Sequence, residues 1–299
     1  MTAVPLQEQT APPEVQAQRG FVQQLGRNPK FMVGIIIFLT LLIGALVLGA
    51  LVDPATRSTG SFLPRQSPGT PGALLGTDTL GRSIAVQLLE AIPKSIQVGL
   101  LAAAVGTVLG ALIGFSSGYF GGLVDTILRV LIDVFLSVPS LLFLILIASL
   151  VRGVDVTTMA LIIGIFAWSW PARQVRAQVL TLKERGFVEI SRMSGMSGME
   201  IIIWELMPHM LPWLGANFVN AFIAAVLAES GLSILGLGPQ REMTLGMMIY
   251  WALNYGAILQ NMWWWWVTPV VSLMALFLSL YMVHIGFDEV ANPRLQTEG

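Results

Sequence analysis

The chain of 299 residues lacks cysteine and contains only two histidines. Disulfides, thiolate nucleophiles and cysteine metal sites are therefore excluded. His209 and His284 are far apart in sequence, so no metal site is expected. Charged residues make up 11% of the chain and hydrophobic residues 55%, whereas soluble domains carry about 25% charged residues. This balance predicts an integral membrane protein, and the net charge of −1 gives no indication of nucleic-acid binding.

The sequence also lacks the signatures of common catalytic sites. Lys30 and Lys94 follow proline and Lys183 follows leucine, so no lysine completes a glycine-rich phosphate-binding loop. Neither an H-E-x-x-H nor a G-x-S-x-G sequence is present. We therefore expect no catalytic residue, no enzyme activity and no directly bound cofactor. If the protein moves a solute uphill, the energy comes from an ion gradient or a partner, and the scarcity of acids in the apolar runs favours a partner.

Long uncharged runs predict an all-α membrane protein with six transmembrane helices. The helices are expected at 31–52, 96–115, 123–151, 156–171, 208–227 and 263–285, the fourth extending past the edge of the bilayer. Lysine and arginine favour the side that holds the N-terminus, with Arg19 and Arg294 counted inside and Arg152 outside, so both termini are predicted to be cytoplasmic. The resulting segments are a cytoplasmic tail 1–30, the first helix 31–52, an extracytoplasmic loop 53–95, a five-helix core 96–285 with a cytoplasmic loop 179–208, and a cytoplasmic tail 286–299.

Glycines recur every four residues in the second predicted helix, at Gly106, Gly110 and Gly114 and on to positions 118 and 122. Such a face lets another backbone approach closely, either within this chain or at a seam with a second subunit. Asp125, Arg129 and Asp133 have the same spacing, which predicts an ion-pair ladder along one helix, with a substrate or gating contact as the alternative. Pro139 is expected to bend that helix.

Two features lie near the predicted outer ends of the helices. Four consecutive tryptophans at 263–266 are typical of an interfacial aromatic belt, and stacking against a sugar is the alternative. Glu229 lies near the outer end of the fifth helix. It either lines a transport path or outer gate, or is a hydrogen-bonded structural acid.

Residues 189–208, EISRMSGMSGMEIIIWELMP, interrupt the apolar chain. Gly195 is expected to end one helix, and Pro208 is expected to begin the next membrane span. The prediction is two short cytoplasmic helices with a sharp bend between them. A rigid projection of this kind suits insertion into a groove on another protein.

This stretch resembles the EAA loop of binding-protein-dependent ABC importer permeases. Glu189, Gly195 and Pro208 match the loop's Glu, its Gly six residues later and its closing Pro. The sequence departs from the pattern where Ile190 and Ser191 replace its two alanines, and Glu205 and Met207 replace its isoleucine and leucine.

Four further stretches are similar to the C-type permease subunit of dipeptide/oligopeptide ABC importers. They are GTDTLGRS at 76–83 with Ser83 in place of the usual Asp, GLVDTILRVLIDVFLSVP at 122–139, AESGLSILGLGPQ at 228–240 and GFDEVANPRLQ at 286–296.

The resemblance implies a type I ABC importer permease fold (MetI-like) in the cell membrane of a prokaryote. It implies a homologous second permease, two ATP-binding subunits that hold ATP and Mg, and an extracytoplasmic solute-binding protein. The residues implied to contact the ATPase are Glu189, Gly195, Met196, Ser197, Gly198, Met199, Glu200 and Pro208. Peptide is the default cargo of the family and oligosaccharide the alternative. A stand-alone channel or secondary transporter, or a non-transporting scaffold, would be another class of function.

Overall fold

The computed structural model describes residues 21, 23–151 and 153–291, and over those residues the chain is helical without a strand. The predicted positions of Arg19, Arg152 and Arg294 lie outside the described residues, as do 1–20 and 292–299 of the two predicted tails. The described helices are α1 (Pro29–Leu51), α2 (Ile84–Phe120), α3 (Gly122–Ser137), α4 (Ser140–Leu150), α5 (Val156–Phe166), α6 (Ser169–Leu182), α7 (Gly186–Met193), α8 (Gly198–Ile234), α9 (Leu245–Asn254) and α10 (Trp263–Ala291).

Four of these helices, α1, α2, α8 and α10, are long and apolar enough to cross a membrane. The pair α3 and α4 qualifies as a fifth span only if it is counted as one element, because it is bent by 81° at its break. Pro139 lies in that break, where its missing N–H and its ring interrupt the helical hydrogen bonds. The predicted fourth span corresponds to α5, whose 11 residues are fewer than the roughly 20 that a perpendicular helix needs.

Several predicted boundaries differ from the structure, among them the following three. The helix α2 begins at Ile84 rather than at 96, so the last part of the predicted 53–95 loop is helical. The last helix continues to Ala291 rather than ending at 285. The helix α8 begins at Gly198 rather than at Pro208, because a π-helical turn at 201–206 accommodates the proline inside the helix.

The central element is α2, which packs against α1, α5, α6 and α8. Its glycine face lies against α5 and α6 of the same chain. A Cβ added to Gly110 would stand 2.7 Å from both the Pro171 Cβ and the Trp168 carbonyl oxygen, and one added to Gly114 would stand 2.6 Å from the Val175 Cβ. A Cβ added to Gly106 would likewise stand 3.0 Å from the Ala167 Cβ. These glycines therefore serve a close helix contact within the chain.

The four tryptophans at 263–266 do not form one exposed belt. Trp263 is 56% exposed, but Trp265 is fully buried in the core that α1, α2, α8, α9 and α10 share. The Trp264 indole N–H donates to the Thr77 carbonyl at 3.2 Å and so holds the 53–83 segment against α10. The interfacial interpretation fails for Trp265 because successive helix residues point about 100° apart and cannot share one face.

Candidate functional site

The segment that joins α7 to α8 is a tight turn held by backbone hydrogen bonds. Gly195 has a φ of +85°, a left-handed conformation that glycine adopts without strain. The Gly195 amide donates to the Arg192 carbonyl at 3.0 Å, and the Met196 amide donates to the Ser191 carbonyl at 3.2 Å. These two bonds form a Schellman motif, which satisfies the last carbonyls of α7 and fixes the exit direction of the chain.

A capping box starts α8 two residues after this turn. The Ser197 hydroxyl accepts from the Glu200 amide at 3.3 Å, and the Glu200 carboxylate accepts from the Ser197 amide at 2.7 Å. Gly198 follows the cap, where an added Cβ would be 2.8 Å from the Tyr119 ring at the end of α2. The two polar side chains that the resemblance assigned to ATPase contact thus also build the local structure.

The helix that leaves the turn is continuous with a membrane span. Residues 201–206 form a π-helical turn in which the Met207 amide donates to the Ile202 carbonyl, and the helix then runs on through Pro208. Pro208 cannot donate to the Trp204 carbonyl and its ring crowds that group, which accounts for the widened turn. The expectation of two separate short helices is therefore wrong for the second one. The turn is therefore joined to the membrane span by one continuous helix.

An apolar cluster anchors the turn to the rest of the protein. Val188 of α7 and Ile201 and Leu206 of α8 are fully buried against Phe115 of α2 and Val179 of α6. Polar contacts add to it, because the Lys183 ammonium donates to the Gly118 carbonyl at 3.0 Å. The Arg192 guanidinium lies 5.6 Å from the centre of the Tyr119 ring. The turn is a rigid part of the helix bundle rather than a loose loop.

The opposite side of the turn exposes apolar side chains. Four large ones are more than half exposed: Ile190, Met193, Met199 and Trp204. The Glu189 carboxylate is exposed and makes no hydrogen bond or ion pair with the part of the chain that the structure describes. Ser191, at the second alanine position of the resembled pattern, is buried, and its hydroxyl donates to the Phe187 carbonyl at 3.0 Å. Serine therefore fits on the packed side of the turn, while the four apolar side chains above stay exposed.

The ladder predicted along α3 is wrong for Asp125. Its two carboxylate oxygens accept from the Arg176 guanidinium of α6 at 2.6 and 2.7 Å, and one of them also accepts from the Ser117 hydroxyl at 2.6 Å. Among the described residues Arg129 has an ion pair only with Asp133, with its Nε 3.9 Å from the Asp133 Oδ2, and both side chains are largely exposed. The Arg176 guanidinium binds the carboxylate through two N–H···O bonds, the bidentate geometry that makes arginine–carboxylate pairs strong. Arg176 was missed because it lies 51 residues away, outside any helical periodicity.

Glu229 is fully buried on α8. Its carboxylate accepts from the hydroxyls of Thr244 at 2.6 Å and Ser233 at 2.7 Å, and more weakly from that of Ser230 at 3.4 Å. The side chain is enclosed by protein and does not line the cavity described below, which favours the structural alternative over a pathway or outer-gate role. Glu229 instead fastens the segment after α8 to the helix, as a hydrogen-bonded structural acid.

Glu242, in the segment between α8 and α9, joins this segment to α2 and α5. Its carboxylate accepts from the Lys94 ammonium of α2 and from the Val156 amide at the start of α5, the latter at 2.7 Å. Partial burial raises the pKa of the Glu242 carboxyl, but the bonds from Lys94 and Val156 outweigh this, so its pKa lies below the usual value. Next to it, the Asp155 carboxylate caps α5, and the hydrogen bonds from Thr158 lower the pKa of that carboxyl.

A cavity of about 390 Å³ lies between the two places where helices are interrupted and α8. Pro139 and Ser140 line it at the α3–α4 break, and Ala167 and Ser169 line it at the α5–α6 break. The α8 side contributes Asn217 and Asn220 and four alanines, Ala221, Ala224, Ala225 and Ala228. No acidic or basic side chain lines it among the described residues. The sequence reasoning missed this site, although two asparagines within an apolar run were the available signal.

Membrane-length helices, a cavity beside α8 and a compact turn with exposed apolar side chains together define a multi-pass membrane protein. Residues 106–297 match the family described as the inner membrane component of binding-protein-dependent transport systems, and the chain belongs to this family.

Relatives and one solved structure agree with this assignment. The chain is 31% identical over 230 residues to the oligopeptide transport system permease protein OppC of Mycobacterium bovis, covering 76% of this chain and 79% of that protein. It is 28% identical over 280 residues to a putative peptide transport system permease protein of Brucella suis, covering 93% and 92%. An inward-facing MetNI methionine ABC transporter chain superposes with a TM-score of 0.53 at 20% identity, over 71% of this chain and 97% of that one. That similarity supports the MetI-like fold.

Proposed function

We propose that this chain is a transmembrane subunit of an ABC importer and forms half of the translocation pathway for di- or oligopeptides. The relatives named as oligopeptide and peptide permeases carry this proposal, because the similarity extends over most of both chains. The cargo follows from those names, and the neutral, partly polar cavity is compatible with it. Oligosaccharide is the second candidate cargo in the same class of transporter.

In the proposed assembly a homologous permease completes the pathway, two ATP-binding subunits dock in the cytoplasm and a solute-binding protein delivers the peptide outside. The chain itself performs no catalysis, and ATP and Mg are held by the partner ATPases. Six spans are formed by α1, α2, α3 with α4, α5 extended by α6, α8 and α10. With this even count the two termini lie on the same side of the membrane, and the distribution of lysine and arginine favours the cytoplasm for that side.

The turn between α7 and α8 is proposed as the contact with an ATPase. Its exposed apolar side chains are available for contact with an ATPase, while its buried apolar side chains fix it to the helix bundle. Because α8 continues from the turn into the membrane, a movement imposed by closure of the ATPases reaches the cavity through one helix. Glu189 is free to meet a basic group of the ATPase.

The test is uptake by proteoliposomes that contain the purified complex, the solute-binding protein and internal ATP. We expect uptake of labelled peptide that needs both ATP and the binding protein, and none with this chain alone. Uptake of peptide by the isolated chain would instead indicate a channel or secondary transporter. Uptake of oligosaccharide in place of peptide would retain the transporter class and overturn the cargo.

A further inference from the structure

The cavity described above lies where backbone hydrogen bonding is interrupted in two neighbouring elements. The α3–α4 break at Pro139 and the α5–α6 break at Ala167 both border it. Non-helical backbone within a membrane is tolerated only where protein covers it or where it lines a water-filled space. A volume of about 390 Å³ lies within the usual range for ligand sites of roughly 300–1,000 Å³.

Two amide side chains of α8 border this cavity. Asn217 and Asn220 are three residues apart and so lie on adjoining parts of one helix face. The Asn217 amide nitrogen donates to the Trp213 carbonyl at 3.0 Å, and its oxygen has no hydrogen-bond partner among the described residues. The exposed Asn220 amide has no partner at either atom within the same part of the chain. Polar groups in a membrane helix face protein or water because lipid gives them no partner.

The side chains around these two amides carry no charge, and they leave space beside the helix. The next two turns of α8 present only alanine to the cavity, so a main chain can approach the helix closely. An asparagine amide offers one acceptor and one donor group, the same pair that each peptide group of a substrate presents. The cavity lining described here contains no acidic or basic side chain that would select for a particular side-chain charge.

We propose that Asn217 and Asn220 form a binding subsite for the main-chain amides of the peptide in transit. The subsite recognises the peptide backbone, whatever the side chains. This inference rests on the proposed function as a peptide importer. Asn217 is partly held by Trp213 and presents its oxygen, whereas Asn220 presents both its donor and its acceptor.

The first test is the concentration dependence of peptide uptake by the reconstituted complex. Asn220→Leu keeps the approximate size of the side chain and removes its hydrogen bonds. We expect the KM for uptake to rise about threefold to tenfold, the range for loss of a neutral hydrogen bond, and Asn217→Leu to have a smaller effect. Leu211→Ala is the control, because Leu211 is 51% exposed and lies nine residues, or about two and a half turns, from Asn220 on the opposite side of α8.

A second measurement separates substrate contact from contact with the second permease. Because the chain has no cysteine, Asn220→Cys gives this subunit one thiol. A peptide that carries a thiol-reactive group should label it, and unmodified peptide should compete, whereas Leu211→Cys should show no competition. An unchanged KM, or labelling without competition, overturns the subsite. Reduced recovery of the complex with an unchanged KM assigns the amides to the permease interface. Absence of peptide uptake by the unaltered complex refutes the proposed function itself.

Discussion

The ion pair between Asp125 and Arg176 is predicted to stabilise the packing of the helices at the end of the bundle that holds the α7–α8 turn. It joins α3 to α6, and Ser117 adds a bond from α2. The side chains are 21% and 20% exposed, so solvent screens the pair only in part. Hydrogen bonds to charged groups contribute about 1.5–3 kcal/mol, and we expect a coupling energy of about 2 kcal/mol for this pair. Arg129 and Asp133 are the matched control at 64% and 51% exposure, for which about 0.3–0.5 kcal/mol is expected.

Double-mutant cycles with alanine measure both coupling energies. Unfolding of the purified chain by SDS in mixed micelles can be followed by tryptophan fluorescence, since the chain has nine tryptophans. Each single substitution at Asp125 or Arg176 should destabilise the chain, and the double substitution should cost less than their sum. Equal coupling energies for the two pairs, or less than about 0.5 kcal/mol for Asp125 and Arg176, would refute the reasoning.

Three further predictions use the same unfolding measurement. Glu229→Ala should lower the free energy of unfolding by roughly 1–3 kcal/mol, and by more than Glu229→Gln, which keeps one acceptor oxygen. Equal effects of the two substitutions would contradict the hydrogen bonds from the three hydroxyls to Glu229. Gly110→Val should lower the free energy of unfolding by about 1–3 kcal/mol or more, because the added side chain overpacks the contact with α6. Gly44→Val should cause no such loss, because no atom lies within 4 Å of a Cβ added there. Because the pKa of Glu242 is lowered on folding, its contribution is present above the usual value of 4.5 and is lost as the pH falls through the folded pKa. Lys94→Met should remove most of that pH dependence, and an unaltered dependence would argue against the Lys94 contact.

Local signals predicted much of the architecture. The charge-free run predicted the first helix at 31–52, within two residues of the observed Pro29–Leu51. Gly195 predicted a left-handed turn and Pro139 a bend, since both act through their own backbone. The glycine spacing in α2 indicated a close contact, although the identity of its partner needed the structure.

Contacts between distant residues could not be predicted in this way. Arg176 meets Asp125 and Trp264 meets Thr77 only after the helices have packed. The start of α2 at Ile84 was missed because Glu90 and Lys94 interrupt the charge-free run from which the helix was predicted. The burial of Glu229 depended on a hydroxyl from Thr244, 15 residues away across a turn. For the same reason the cavity at Asn217 and Asn220 emerged only from the arrangement of two helix breaks.

The central claim is that the turn between α7 and α8 couples a separate ATPase to the membrane helices. Gly195→Pro tests it, because proline cannot adopt the φ of +85° and loses the amide bond to Arg192. Gly186→Pro is the matched control, since Gly186 is the first residue of α7, where proline is tolerated, and Arg185 before it is extended.

The decisive measurement is peptide uptake per ATP hydrolysed in proteoliposomes that hold equal amounts of assembled complex. We predict that Gly195→Pro lowers this ratio at least tenfold while ATP hydrolysis continues, and that Gly186→Pro leaves it close to that of the unaltered protein. An unchanged ratio in the assembled Gly195→Pro complex would contradict the account.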